Sequence, residues 1–215
     1  ALVDAGASAV RVLIAPDIDL AAGSRGTAVA AALAGEGGEV VSLAQVGLCA
    51  WRGRILSAAE TLLVREALGA GPAAVRGREC PGAEGDERPV VGYVCAGRWT
   101  DACAQARGDV VAVVDHAGLT WYSPLAGPND EAVGPRFPRV DGVYVPEMVS
   151  ERVGSLPGVT INSAVVAGVR HQDASSEWEQ HMVDSLGFPA SSTTLVPVAL
   201  IASHVGMRMA AAVLL

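Results

Sequence analysis

The sequence predicts an α/β fold, with a single domain spanning residues 1–215 and a twisted sheet layered against helices. Three observations predict it. Apolar runs of strand length recur along the chain, at Val10 to Ala15, Val90 to Ala96, Val110 to Val114, Val159 to Gly168 and Met207 to Leu215. Segments with helix caps and helical periodicity fall between them. And 51% of the 215 residues are hydrophobic, ample for one large core.

Taken in order, Val10 to Ala15 (VRVLIA) is the first buried strand, and Pro16-Asp17-Ile18-Asp19 leaves it. Gly23-Ser24-Arg25-Gly26 turns into a helix over Thr27 to Leu33, and could instead act as an anion loop at that helix start. Glu39 to Gln45 alternates apolar and polar residues, as a half-buried strand does. Ser57-x-x-Glu60 is a capping box ahead of Leu62, Leu63 and Ala67, and Gly69 stops that helix, so it covers roughly 55–68. Arg76 to Pro89 is polar, rich in glycine and proline and without period, which predicts a flexible surface loop.

Val90 to Ala96 is a buried strand ending in Cys95-Ala96-Gly97, where small residues permit close approach of a ligand. Val110 to Val114 is another, with Asp115-His116 emerging at its end. The loop that follows, through Pro124, Gly127-Pro128-Asn129-Asp130 and Arg136-Phe137-Pro138, is long for a compact domain, and such loops usually carry function. A helix near Asp141 to Arg152 would place Tyr144 and Met148 in the core or an interface. After the strand Val159 to Gly168, Ser176-x-x-Glu179 caps a helix with Trp178, Met182 and Leu186 at i, i+4 and i+8. That stripe predicts Trp178 in the core. Helix 198–204 and strand Met207 to Leu215 close the sequence.

Composition excludes several function classes. The net charge is -8 and all basic residues are arginines, so a Schiff-base lysine is ruled out. An acidic chain does not neutralise phosphates, so no nucleic-acid partner is expected. No apolar run reaches the ~18 residues of a membrane span, so no membrane is expected either. The start, ALVDAGASAV, lacks a basic region before its apolar residues, so no signal peptide is read and a cytoplasmic location is expected. Cys49, Cys80, Cys95 and Cys103 form no C-x-x-C pair or zinc spacing, so reduced thiols are expected, with no metal and no cofactor. The bias towards Ala, Gly, Arg and Val points to a GC-rich bacterial gene.

Gly-Asp-x-x-x-x-x-Asp-His from Gly108, Gly-Pro-Asn-Asp-Glu from Gly127 and Arg-Phe-Pro from Arg136 resemble, in this order, the trimeric class of purine nucleoside phosphorylases. The resemblance implies a three-layer α/β/α domain with a central mixed, twisted sheet, and a homotrimer. In that family the run lines the nucleoside pocket, and the Phe137 equivalent packs on the sugar in a neighbouring subunit's site. Cys95-Ala96-Gly97 is similar to the family's Asn-Ala-Ala-Gly turn, with Val94 in the asparagine's place. Thr193-Thr194-Leu195-Val196-Pro197 is similar to Met-Ser-Thr-Val-Pro, which puts Thr194 at the phosphate-binding hydroxyl.

The departures fall on the polar set. Pro16 stands where the family has a phosphate-binding serine, and proline has no N–H to donate. Val46, Leu48 and Ala50 occupy the family's Arg-x-His-x-Tyr positions. Ala174 and Ser175 replace the base-reading Phe and Glu, in a loop that carries His171 and Asp173 instead. The family's base-reading Asn and closing helix would lie beyond Leu215. Phosphorolysis needs several donors holding a dianion against the sugar, so it is not expected.

The expected function is a repurposed small-molecule enzyme, fitting bacterial secondary metabolism. It would perform cyclisation, hydrolysis or isomerisation of a largely apolar, ring-like metabolite without phosphate. The candidate catalytic residues are Asp17, His171 and Asp173, the last two as a base with its orienter. The candidate ligand contacts are Cys95, Ala96, Phe137, Ser175, Thr193 and Thr194. A phosphorylase or nucleosidase with a displaced phosphate site, and a non-catalytic binding homologue, are the alternatives.

Overall fold

The structure is a computed structural model that describes residues 9–18, 21, 23–45, 58–68, 88–101, 108–119, 123–129, 131–170 and 176–215. The elements are β1 (Val12–Ile14), α1 (Arg25–Ala34), β2 (Val40–Ser42), α2 (Ala58–Ala67), β3 (Val90–Ala96), β4 (Arg98–Trp99), β5 (Val110–Gly118), α3 (Pro146–Val153), β6 (Ile161–Gly168), α4 (Glu177–Ser185), β7 (Ala190–Ser192), α5 (Leu195–His204) and β8 (Arg208–Leu214).

Eight strands form one mixed sheet in the order β2-β1-β3-β8-β5-β6-β7-β4. β2, β1, β3 and β8 are mutually parallel, as are β5, β6 and β7. The two blocks meet antiparallel at β8 and β5, and β4 adds antiparallel to β7.

Side chains alternate across the sheet and divide the core into two layers. Val12, Ile14, Val110, Ala112, Ala210 and Ala212 face α1 and α3, through Val29, Leu33, Val149 and Val153. Leu13, Tyr93, Cys95, Val111, Val113, Ala211 and Val213 face the opposite side, against Val64 of α2 and Leu195, Val198 and Ile201 of α5. The expected three-layer arrangement follows from this alternation. Arg152, at the end of α3, is 9% exposed and donates to Leu33 O at 2.7 Å and Ala34 O at 3.4 Å. It thereby satisfies carbonyls that the last turn of α1 leaves without helical partners.

Several elements differ from their sequence reading: it holds no β4 or β7, α5 begins at Leu195 rather than 198, and three others differ in extent or burial. β5 continues past Val114 to Gly118, because a register shift between Val113 and Asp115 lets Asp115 to Gly118 go on pairing with β6. α3 begins at Pro146, a residue suited to the first helical position. Tyr144 precedes it and is held in a parallel bridge to Met209. The Ser176–Glu179 capping box forms as expected, with Glu179 N donating to Ser176 Oγ at 3.2 Å and Ser176 N to Glu179 Oε2 at 2.7 Å. The expected burial of Trp178 is wrong: it is 76% exposed, Met182 and Leu186 are exposed with it, and α4 buries Val183 instead. Periodicity marks a face, but the neighbouring elements decide which face is covered. Of the predicted loop 76–89, Arg88 and Pro89 are described, and the predicted turn 46–54 lies outside the described residues.

Candidate functional site

The end of β3 is crowded by design of its sequence. A Cβ on Gly97 would stand 2.2 Å from Val213 Cγ1 and 2.8 Å from Ser191 O, so only glycine lets β3, β7 and β8 converge here. The convergence brings Ser192 onto the turn. Ser192 Oγ donates to Ala96 O at 2.9 Å and lies 3.5 Å from both Cys95 Sγ and Thr194 N. Its single proton is spent on Ala96 O, so the thiol and the amide are its donors. Burial pushes the Cys95 thiol up to about 12. A neutral, fully buried thiol is a packing group rather than a nucleophile.

Asp17 leaves β1 beside this turn. Ala15 N donates to Val94 O at 2.8 Å, which fixes the approach. The residue is exposed, and its carboxyl takes hydrogen bonds from its own backbone and from Ala96. Desolvation, the largest influence, holds its pKa above the usual carboxylate range, and those two hydrogen bonds oppose it.

Two hydroxyls complete the cluster. Tyr93 and Thr194 are both 0% exposed. Among the described residues neither Tyr93 Oη nor Thr194 Oγ1 makes a hydrogen bond of ordinary geometry, but the Thr194 hydroxyl lies close enough to interact with both the Tyr93 phenol and the Cys95 thiol. Thr194 is the N-cap residue of α5 but its side chain makes no capping bond. Thr193, beside it, is also buried. Burial and neighbouring Cys95 and Asp17 hold the Tyr93 phenol well above its usual pKa.

Across the sheet, the β5 irregularity directs His116 onto Tyr144. His116 Nδ1 and Tyr144 Oη are 2.7 Å apart, with the rings edge-on at 5.6 Å. Burial lowers the His116 pKa and Asp115 opposes it. The neutral ring therefore accepts the Tyr144 proton at Nδ1. A cavity of about 470 Å³ opens beside the 98–101 segment, lined by Arg98, Trp99, Asp101, Arg170, Met182 and Ser191 among others.

The loop 123–138 is organised by its own side chains. Asn129 Nδ2 donates to Gly134 O at 3.0 Å and Glu131 Oε1 at 2.8 Å, and His204 Nε2 lies 3.1 Å from Asn129 Oδ1. Arg65 Nη2 lies 3.5 Å from His204 Nδ1. A guanidinium can only donate, so Nδ1 accepts and Nε2–H donates to Asn129. Phe137 stands 84% exposed with the Arg136 guanidinium 5.8 Å from its ring centroid.

Of the sequence-predicted residues, Asp17, Cys95, Ala96, Thr193 and Thr194 come together, and Phe137 projects from the separate loop. His171, Asp173 and Ser175 lie outside the described residues. Sequence reasoning missed Tyr93 and Ser192; it put His116 at a strand end and Tyr144 in the core or an interface but did not pair them. The strand alternation that put Cys95 on one face also puts Tyr93 there, and that signal could have found it. Among the described residues no three of His, Cys, Asp and Glu group to hold a metal ion, and no helix is long and apolar enough to cross a membrane.

Over 104 residues the chain is 28% identical to purine nucleoside phosphorylase 1 of Bacillus subtilis, covering 47% of this chain and 38% of that protein. The purine nucleoside phosphorylase of Rattus norvegicus is 28% identical over 109 residues, with the same shares covered, 47% and 38%. The chain thus spans 38% of the length of both curated relatives. A crystal structure of the Schistosoma mansoni purine nucleoside phosphorylase in a complex with BCX-34 superposes with TM-score 0.50, over 59% of this chain and 50% of that one, at 23% identity. That likeness carries the fold. No family model matches the sequence.

Proposed function

We propose that this divergent relative of the purine nucleoside phosphorylases is a repurposed small-molecule enzyme, a hydrolase of a largely apolar, ring-bearing metabolite that does not use phosphate. The observation that carries the reading is the Asp17 carboxyl bonded to the Ala96 backbone at the strand ends. A carboxylate on that backbone takes a place an anionic co-substrate would need, and repels one nearby. It is also a base, and its raised pKa brings it closer to the working range of a general base.

The chemistry follows from that placement. Asp17 takes a proton from water as the water oxygen bonds to the electrophilic carbon of the substrate. The bond from that carbon to the leaving group breaks, and its electron pair departs with the leaving group. A proton then passes to the leaving group, with His171 and Asp173 as the acid and its orienter. The ring sits in the cavity beside Trp99 and Met182, and Ser175 and Thr193 contact the substrate. Exposed Phe137 supports a homotrimer, in which it would cover a neighbour's site. The chain acts as one domain in the cytoplasm of a bacterium, on a metabolite of secondary metabolism.

A second reading has one observation in its favour. The buried Thr194 hydroxyl at the start of α5, which makes no capping bond, suits an anion, as in a phosphorylase or nucleosidase with a displaced phosphate site.

The test is a panel of ring-bearing glycosides and esters, inosine and guanosine included, with and without inorganic phosphate. Cleavage is expected to proceed at the same rate without phosphate, and D17N to lower kcat by about 100-fold or more. Cleavage that requires phosphate would establish the second reading instead.

A further inference from the structure

The cavity of about 470 Å³ lies between α4 and the sheet edge where β4 pairs with β7, and its size is that of a small-molecule site. Trp99, Leu119, Val169 and Met182 give it apolar walls. Its charged groups are separated by topology. β6 runs parallel to β7 and β4 runs antiparallel to it, with Ala167 and Arg98 both beside Ser191. The chain past β6 and the chain past β4 therefore leave at opposite ends of β7. Arg170 follows β6 and Asp101 follows β4, and both line the cavity. Asp101 N donates to Asp184 Oδ1 at 2.9 Å, which brings a second carboxylate to the acidic end.

Most of the polar lining is engaged within the protein. Thr100 Oγ1 donates to Phe188 O, Glu179 Oε2 accepts from Ser176 N, and Arg98, Gln180 and Ser191 have partners of their own. Among the described residues no ion pair takes up the Asp101 carboxylate or the Arg170 guanidinium. Both residues are exposed, so water solvates each charge until a ligand displaces it. A purely apolar ligand would strip that water and return nothing. A ligand with negative charge alone meets the carboxylates of Asp101, Glu179 and Asp184, and one with positive charge alone meets two guanidiniums. A net-neutral ligand with one charge at each end meets an opposite charge at both.

We propose that this cavity takes a ring-bearing zwitterion whose charges lie at opposite ends of the ring, with the carboxylate on Arg170, the ring against Trp99 and Met182, and the ammonium on Asp101. The inference rests on the hydrolase reading only for seating the substrate's ring in this cavity, and it gives that largely apolar substrate two charged ends. Arg170 and Asp101 are specificity-determining residues and take no part in proton transfer. Each ion pair is partly solvated, so each charge is expected to strengthen binding roughly threefold to fivefold. A ligand with both charges on one carbon reaches one end of the cavity and leaves the other end unpaired.

The test is calorimetric titration of the whole chain with four probes: 4-(aminomethyl)benzoate, 4-methylbenzoate, 4-methylbenzylamine and L-phenylalanine. The first is expected to bind roughly threefold to fivefold more tightly than each of the others. R170Q is expected to weaken 4-(aminomethyl)benzoate and 4-methylbenzoate by that factor and to leave 4-methylbenzylamine unchanged. D101N is expected to weaken 4-(aminomethyl)benzoate and 4-methylbenzylamine and to leave 4-methylbenzoate unchanged. Equal affinity for all four, tighter binding of L-phenylalanine, variants that weaken acid and amine alike, or no binding up to about 10 mM would each overturn the proposal. Crystals of the parent chain soaked with 4-(aminomethyl)benzoate give a readout that needs no variant. The carboxylate is expected within about 3.2 Å of the Arg170 guanidinium and the ammonium within the same distance of the Asp101 carboxylate, and a ligand lying the other way round or outside the cavity counts against it. Binding is read without turnover, so a protein that hydrolyses nothing loses the hydrolase reading and keeps this one, whereas hydrolysis of the glycosides and esters with no zwitterion preference does the reverse.

Discussion

The loop 127–138 and the strand-end cluster have opposite relations between sequence and chemistry. The loop keeps the family's spelling, Gly-Pro-Asn-Asp-Glu and Arg-Phe-Pro, yet Asn129 bonds Gly134 and Glu131 and sits against His204. Those residues hold the loop's own shape. The strand ends have lost the family's polar letters, yet they contain a desolvated carboxyl and two buried hydroxyls that make no hydrogen bond of ordinary geometry among the described residues. Retained letters can serve architecture, and substituted letters can build a site. What separates them is whether the polar groups satisfy each other or leave something to be satisfied.

The sharpest way to break this contrast is at the turn. Gly97→Ala drives a Cβ into Val213 and the Ser191 carbonyl, so it is expected to cost roughly 2–3 kcal/mol in urea unfolding and to part Ser192 from Ala96. An unchanged midpoint would mean the convergence of β3, β7 and β8 is loose. A somewhat smaller loss tests the loop. His204→Ala removes a 1% exposed ring and its contact with Asn129, at a cost of about 2 kcal/mol. Amide exchange is expected to quicken in 127–134 and to leave β3 untouched. Faster exchange at the strand ends would show that the two regions are one unit.

The smallest effect is electrostatic. The folded state raises the Asp17 pKa above the ordinary 3.8, so it binds that proton more tightly than the unfolded chain does. The carboxyl therefore favours folding at acid pH, and that advantage is lost as pH rises from 3.8 through the raised value. Melting curves of D17N against the parent are expected to diverge in favour of D17N over that window and to run parallel above it. A divergence of the opposite sign would mean that the hydrogen bonds to the carboxylate outweigh its desolvation.

Much of the fold was legible because its signals are local. Val90 to Ala96 reads as a strand and is one, residue for residue. The Ser176–Glu179 box caps α4 because both halves of the reciprocal bond lie within one turn. Asp17, Cys95 and Ala96 were found through their places at strand ends, and Thr194 through the resemblance of 193–197 to Met-Ser-Thr-Val-Pro. Trp178 was misread because its stripe is helical whether or not anything covers it. Tyr93 was passed over because, within an apolar strand, a tyrosine reads as packing.

The sequence alone determined the longer strands, the Ser176–Glu179 cap and the turn at Gly97, since each depends on neighbours a few residues apart, whereas the short strands β4 and β7 carry no such local signal. Only the tertiary structure decided which hydroxyls find partners, which face of α4 meets solvent and which backbone the Asp17 carboxyl meets. Those outcomes depend on groups far apart in the chain, such as Cys95 and Ser192, brought together across the sheet.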